Sequence, residues 1–158
     1  MLGLIQRVSS ASVRVDGRIV GQIGNGLLAF VGIQRHDTER EAERLVDRIT
    51  GYRVFPDGSG RMNLSLLDVG GGILLVPQFT LAADTRKGTR ASFGPAAEPE
   101  KSEKLFEHAV AAANDTGLPV ATGVFGAHMK VALENDGPVT FLLEARPDPA
   151  KPRTRGGG

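Results

Sequence analysis

Two uninterrupted apolar runs constrain this chain more than any other feature. Leu27 to Ile33 and Ile73-Leu74-Leu75-Val76 lack the polar–apolar alternation of a half-exposed strand. Both therefore read as central strands buried on two faces. The second follows Gly70-Gly71-Gly72 and runs straight into Pro77-Gln78-Phe79-Thr80-Leu81. A polar segment at the end of a buried strand is a common place for a site.

The remaining elements arrange themselves around these two runs. Leu4 to Val8 reads as a strand. Val13-Arg14-Val15 and Arg18-Ile19-Val20 flank Asp16-Gly17, a hairpin signal because a type I′ turn needs positive φ at both centres. Gly24-Asn25-Gly26 is a second turn. Thr38 and Glu41 have capping-box spacing, Ala42, Leu45, Val46 and Ile49 repeat at helical spacing, and Gly51 stands at the C-terminal cap position. Arg40, Glu43, Arg44 and Asp47 form the solvated face of that helix. Tyr52 to Phe55 reads as a strand, and so does the segment with Leu64, Leu66 and Leu67. Glu98-Pro99-Glu100 opens a second helix, which ends at Asn114-Asp115-Thr116-Gly117. Val120 to Phe125, Met129 to Leu133 and Val139 to Ala145 read as three further strands. Between the last two lies Asn135-Asp136-Gly137-Pro138, which taken alone reads as an ordinary hairpin turn.

Strands outnumber helices, and few are separated by the crossovers that a parallel sheet needs. The fold class is α+β, with a mixed, mainly antiparallel, curled and barrel-like sheet and two packed helices. The length of 158 residues suits one domain, residues 1–146. Residues 147–158 hold prolines, a Gly triplet and Lys151, Arg153 and Arg155, and read as a disordered basic tail.

Composition excludes several chemistries. Cys is absent, so there is no disulfide, no thiolate nucleophile and no Cys-based zinc site; a reducing cytoplasmic setting fits. The N-terminus lacks a signal-peptide pattern, and no apolar run approaches membrane-spanning length. His36, His108 and His128 have no metal-ligand spacing and read as structural or exposed. There is no Walker or dinucleotide loop, since Gly123-Val124-Phe125-Gly126 is too short and lies in strand context. No paired-acid motif occurs. Thr80 remains as the one hydroxyl directly after a buried strand. A Thr nucleophile needs an adjacent base, and none is visible, so on these grounds alone Thr80 reads as a satisfied buried hydroxyl. Net charge is +1, but Thr85-Arg86-Lys87-Gly88-Thr89-Arg90 concentrates three cations without an acid among them. Arg86, Lys87 and Arg90, with Lys130 and the tail cations, are the candidates for phosphate contacts.

Pro77-Gln78-Phe79-Thr80-Leu81 closely resembles the Ser-Gln-Phe-Thr-Leu signature of D-aminoacyl-tRNA deacylases. Asn135-Asp136-Gly137-Pro138-Val139-Thr140 resembles their second signature, Asn-X-Gly-Pro-Val-Thr. The resemblance runs from Gln6-Arg7-Val8 through Lys87-Gly88 and Thr122 to Ala127 as far as Leu143. It implies a cytosolic homodimer, without metal or cofactor, that hydrolyses the ester joining a D-amino acid to the 3′ acceptor end of tRNA. It also implies a site at the subunit interface, where Gln78, Phe79 and Thr80 of one subunit meet a cis Gly137-Pro138 of the other.

Further roles follow from that resemblance. Backbone N–H groups around Phe79 and Thr80 would stabilise an oxyanion. The Thr80 hydroxyl would orient substrate or water, or act as nucleophile; the lack of a base favours orientation, with help from the substrate's ribose hydroxyl. Gln78 would bond the adenosine or its ribose, and Phe79 would pack on the adenine or hold the strand end. The Gly137 and Pro138 carbonyls would accept from the α-ammonium and leave no room for an L side chain, a rejection by clash that admits glycine. Arg7 would anchor the Gly-Pro turn across the interface, and Met129 joins the substrate-binding group. The chain departs from the signature at Pro77, where the family has Ser. A related family of relaxed chirality has Pro-Gln-Ala-Thr-Leu and a trans Gly-Pro, but Phe79 and Val139-Thr140 keep this chain on the D-specific side. A non-catalytic RNA-binding module and a Thr-nucleophile esterase or amidase stay open as alternatives.

Overall fold

β1 (Leu2–Val15) is the strand on which the sheet is built. The computed structural model describes residues 1–147. One edge of β1 pairs antiparallel with two strands in turn: β2 (Arg18–Ile23) along its second half and β3 (Gly26–Gly32) along its first. The Asp16-Gly17 turn joining β1 to β2 has φ of 49° and 77°, as a type I′ turn requires. The other edge of β1 pairs antiparallel with β8 (Lys130–Glu144). β3 pairs in parallel with β6 (Gly72–Pro77), and β6 in parallel with β7 (Val120–Thr122).

The two apolar runs are the central strands β3 and β6. Ile73, Leu74 and Leu75 are all fully buried, as are Leu27, Leu28 and Ala29. Their side chains alternate between two cores. Leu27, Ala29, Ile73 and Leu75 face the helices, while Leu28, Leu74 and Val76 pack with Val8, Ala11 and Val13 inside the curl of the sheet. The sheet nearly closes. A Cβ on Gly21 of β2 would stand 2.4 Å from the carbonyl oxygen of Thr122 in β7, so the backbones of these two edge strands meet where only glycine fits.

Three α-helices occur among the described residues where two are expected. α1 (Glu39–Gly51) and α3 (Pro99–Asp115) pack against each other over one face of the sheet. The third, α2 (Leu66–Val69), replaces the strand expected around Leu66 and Leu67. Its cause is a local signal stronger than the apolar pattern: Ser65 Oγ accepts from Asp68 N–H at 3.2 Å, and Asp68 Oδ2 accepts from Ser65 N–H at 2.8 Å. Other boundaries also shift. The strand expected over Tyr52 to Phe55 is the short β4 (Phe55–Pro56), paired with β5 (Met62–Leu64). The strand expected from Val120 to Phe125 stops at Thr122. Gly51 is the last helical residue of α1, and the extended Tyr52 caps it.

The largest correction concerns residues 135–138. They do not reverse the chain. Met129 to Leu133 and Val139 to Ala145 are not two hairpin strands but, over Lys130–Glu144, one strand that pairs with β1 on both sides of this segment. Gln6 pairs with Thr140 and Val8 with Asn135, so Arg7 alone stands opposite Asp136 to Val139. The segment is a large bulge within a strand.

The α-ammonium of Met1 is buried. It donates to Asp37 Oδ1 at 2.8 Å, Gln34 Oε1 at 3.1 Å and the carbonyl of Ala145 at 2.9 Å. This ties the start of β1 to the approach of α1 and to the end of β8. No helix among the described residues is long and apolar enough to cross a membrane. The expected basic tail, with Lys151, Arg153 and Arg155, lies outside the described residues apart from Pro147.

Candidate active site

β6 delivers Gln78, Phe79 and Thr80 to the surface. At Pro77 the chain leaves the buried strand, and Phe79–Ala82 forms one 3-10 turn with Gln78 as its cap. Gln78 N–H donates to the Val31 carbonyl at 2.8 Å, which fastens the turn to β3. Phe79 and Thr80 are exposed and Gln78 is half-buried, so Thr80 is not the buried hydroxyl that residue type alone suggests. The amide Nε2 of Gln78 donates a short hydrogen bond to Thr80 Oγ1. That is the only side-chain hydrogen bond of Thr80 among the described residues. The hydroxyl proton is therefore free to donate outward. The N–H groups of Phe79 and Thr80, first in the turn, have no acceptor within it.

Pro77 fits its place without loss. Gln78 N–H faces β3, and Leu75 C=O faces β7, where it accepts from Gly123 N–H at 2.9 Å. By strand alternation the nitrogen of Pro77 also faces the β7 side, beyond the point where β7 has ended at Thr122. No ladder acceptor waits there, so proline removes no sheet hydrogen bond.

A cavity of about 450 Å³ opens beside the turn, with Gln78, Phe79, Phe125, His128, Met129 and Ser102 in its wall. Its size suits a nucleoside-sized ligand. Met129 is held there because Gly123 packs against it: a Cβ on Gly123 would meet Met129 Sδ at 2.7 Å. Met129, grouped by sequence with Gly137, Pro138 and Arg7, lies in this wall beside Gln78 instead. His128 lies in the same wall, a position that its lone occurrence in the sequence does not signal. Among the described residues no group of three His, Asp or Glu side chains is placed to hold a metal ion.

Gly137 and Pro138 are not part of this cluster within one chain. From Val131, which also borders the cavity, to Gly137 is six residues of β8, roughly 20 Å at about 3.3 Å per residue. The bulge has its own support. The Gly137–Pro138 peptide is cis, and Gly137 has φ of 151°, outside the range that L side chains favour. Asn135 spans the loop: its Oδ1 accepts from Val139 N–H at 2.7 Å, and its Nδ2 donates to the Val139 carbonyl and to Thr140 Oγ1, both at 3.1 Å. Gln6 Nε2 adds a contact to Thr140 Oγ1 at 3.3 Å. Arg7 donates from Nε to the Asp136 carbonyl at 2.8 Å and from a terminal nitrogen to the Val54 carbonyl at 2.6 Å. Arg7 thus braces the bulge of its own chain. Asn135 and Gln6 are the residues that sequence reading left without a role.

The cationic loop is closed at its root by two backbone hydrogen bonds between Asp84 and Ser92, at 2.8 and 2.9 Å. Arg86 is not a free cation. It forks onto Asp84, Nε to Oδ1 at 2.9 Å and a terminal nitrogen to Oδ2 at 2.8 Å. The side-chain hydrogen bonds from Arg86, followed by that from its backbone N–H, hold the Asp84 carboxyl down at about 2. Asp84 lies one residue before the run in which the cations were counted, which is why the pairing was missed. Lys87 and Arg90 are exposed and have no acidic partner among the described residues.

Residues 4–144 match the family described as D-Tyr-tRNA(Tyr) deacylase. A D-aminoacyl-tRNA deacylase of Thioalkalivibrio sulfidiphilus is 66% identical, covering 93% of this chain and 99% of its own. A protein of the same name from Alkalilimnicola ehrlichii is 63% identical, covering 95% and 100%. Among solved structures, a c-Myc DNA unwinding element binding protein superposes with a TM-score of 0.88 at 38% identity, covering 93% of this chain and all of that one. A probable eukaryotic D-amino acid tRNA deacylase has a TM-score of 0.78 at 16% identity over 90% and 98%, a likeness of fold. The exposed Gln78–Thr80 turn and the braced Gly-Pro bulge thus occur in a chain that belongs, over nearly its whole length, to the D-aminoacyl-tRNA deacylase family of hydrolases.

Proposed function

We propose that this protein hydrolyses the ester bond of D-aminoacyl-tRNA, and of mischarged glycyl-tRNA, releasing the free amino acid and tRNA. The observation that carries this reading is the Gln78–Thr80 pair, an exposed hydroxyl held by an amide donor, beside a nucleoside-sized cavity at the head of a buried strand. An amide nitrogen takes no proton, so Gln78 leaves Thr80 a donor rather than an activated nucleophile. An aminoacyl ester is already reactive; placing a water and stabilising the developing oxyanion is the larger part of the task. Thr80 and the N–H groups of Phe79 and Thr80 supply donors, and the ribose hydroxyl of the substrate supplies the neighbouring oxygen. Adenosine occupies the cavity beside Gln78, Phe79 and Met129, and Lys87 and Arg90 take phosphates of the acceptor end.

The working site forms between two copies of the chain. Two observations support this. Gln78–Thr80 and Gly137–Pro138 are far apart within one chain, and among the described residues β8 has one long edge unpaired, with Leu142 58% and Leu133 37% exposed. In the homodimer, the Gly137 and Pro138 carbonyls of one subunit border the substrate Cα in the other. They accept from the α-ammonium and exclude an L side chain.

The decisive experiment compares deacylation of one tRNA charged with matched D- and L-amino acids and with glycine. D and glycyl esters are expected to turn over, and the L ester to survive. Equal turnover of D and L sinks the chiral reading, and binding of tRNA without any turnover favours a non-catalytic RNA-binding module. Thr80→Ala is expected to leave a measurable residue of activity, whereas complete loss would favour the nucleophile.

A further inference from the structure

Phe79 and Phe93 remain 59% and 47% exposed, yet their rings face each other with centroids 5.2 Å apart and planes tilted by 42°. Neither belongs to the two cores, so burial within the subunit does not account for the pair. Each ring is attached to a different element. Phe79 opens the turn that sets Gln78 beside Thr80. Phe93 follows Ser92, the residue that closes the cationic loop against Asp84. On its other side the chain is fastened to the segment after β3, where Arg35 N–H donates to the Pro95 carbonyl at 2.9 Å and Ala97 N–H to the Ile33 carbonyl at 3.0 Å. Phe93 therefore stands on a rigid base, and Phe79 on a single turn.

We propose that Phe93 is a positioning residue: its ring fixes the ring of Phe79, and through it the turn holding Gln78 and Thr80, so that residues 85–91 and the reactive turn move as one body. The proposal rests on reading Gln78–Thr80 as the reactive turn. It follows that an anion held by Lys87 and Arg90 steadies the turn. A substrate long enough to reach that loop then gains in turnover as well as in affinity over one ending at the terminal adenosine.

The test measures kcat and KM for Phe93→Ala, Phe93→Leu, Phe93→Tyr and the double variant Lys87→Ala/Arg90→Ala, on D-aminoacyl-tRNA and on the 3′-D-aminoacyl ester of adenosine. Phe93→Ala should lower kcat about tenfold on both substrates, about 1.4 kcal/mol of barrier, with KM within about twofold. Phe93→Tyr, which keeps the ring, should return kcat to within about twofold, and Phe93→Leu should not. The double variant should raise KM and lower kcat on the tRNA, and change neither on the adenosine ester by more than about twofold. An unchanged kcat in Phe93→Ala, full activity in Phe93→Leu, or a loss confined to KM on tRNA overturns the proposal. Two readouts need no activity: Phe93→Leu should remove the ring-current shift on the Phe79 protons and speed amide exchange at Leu81 and Ala83. If the wild type fails to cleave the D ester while both effects appear, the functional reading falls and the positioning contact stands. If neither effect appears, the positioning proposal is wrong whatever the activity.

Discussion

Arg7 grips the Gly-Pro bulge through the backbone of Asp136 and not through its carboxylate. Nε donates to the Asp136 carbonyl at 2.8 Å, while the carboxylate is 3.6 Å away and 61% exposed. Exposed ion pairs of that kind contribute little. Asp136→Ala should therefore leave D-ester turnover within about twofold. Arg7→Ala removes two charge-assisted bonds, one to a partly buried carbonyl, and should lower stability by about 2–3 kcal/mol in urea unfolding, with a clear loss of turnover. Arg7→Lys should behave more like alanine, because one ammonium cannot span both carbonyls.

Asn135 should matter for the bulge as much as either residue at its centre. Its amide makes three hydrogen bonds across the loop. At about 1 kcal/mol each, Asn135→Ala should reduce stability by roughly 2–3 kcal/mol. Asn135→Asp keeps the acceptor for Val139 N–H, loses both donors, and should fall between. Denaturant midpoints for the pair of variants check this ordering.

The buried Met1 ammonium makes Asp37 a stability residue. Asp37→Ala strands that charge with two neutral acceptors and also removes the acceptor of Gln34 N–H at 2.7 Å. A loss of about 3–5 kcal/mol is expected, read as a lower unfolding midpoint. A shift under about 1 kcal/mol would mean that the ammonium reaches water.

Acid should open the cationic loop late. The folded value of Asp84, about 2, lies below its ordinary 3.8. The contribution of its contact with Arg86 is therefore fully present above about 3.8 and is lost as pH falls through about 2. Amide shifts of Arg86 and Ser92 should stay flat from neutral pH to about 4 and then titrate with a midpoint near 2. A midpoint near 4 would show that Arg86 is detached in solution.

Mixing variants tests the proposed two-copy site. Thr80→Ala and Arg7→Ala damage different halves of it. Random exchange gives half heterodimers, each with one intact site of two, so about a quarter of wild-type activity should return. No recovery, with exchange shown by mass, would place both segments in one subunit.

How far the sequence was legible varied with the reach of the forces involved. β3 and β6 were visible because burial on two faces writes itself into every residue, and α1 and α3 because helical spacing and caps are local. α2 was missed although its Ser65–Asp68 cap is local, because three leucines outweighed it. The bulge in β8 was hidden for a different reason. A turn-forming Gly-Pro says that the chain leaves its line, not whether it comes back to the same partner strand, and only the pairing with Gln6 and Val8 decides that. Gln78, Phe79 and Thr80 were identified through resemblance to a family signature. The Gln78–Thr80 contact belongs to a local turn whose shape residue types do not announce, whereas the place of Phe93 beside Phe79 depends on chain segments meeting in space.

The placement of the bulge also limits how its length can vary. Beyond it, the strand still alternates, with Leu143 2% and Leu142 58% exposed. A single residue added or removed between Asn135 and Thr140 has two outcomes. The loop absorbs it and the Asn135 clamp is lost, or the last five residues of β8 slide by one and exchange inside for outside. Two-residue changes keep the alternation, so natural length variation in this loop should come in even steps or not at all.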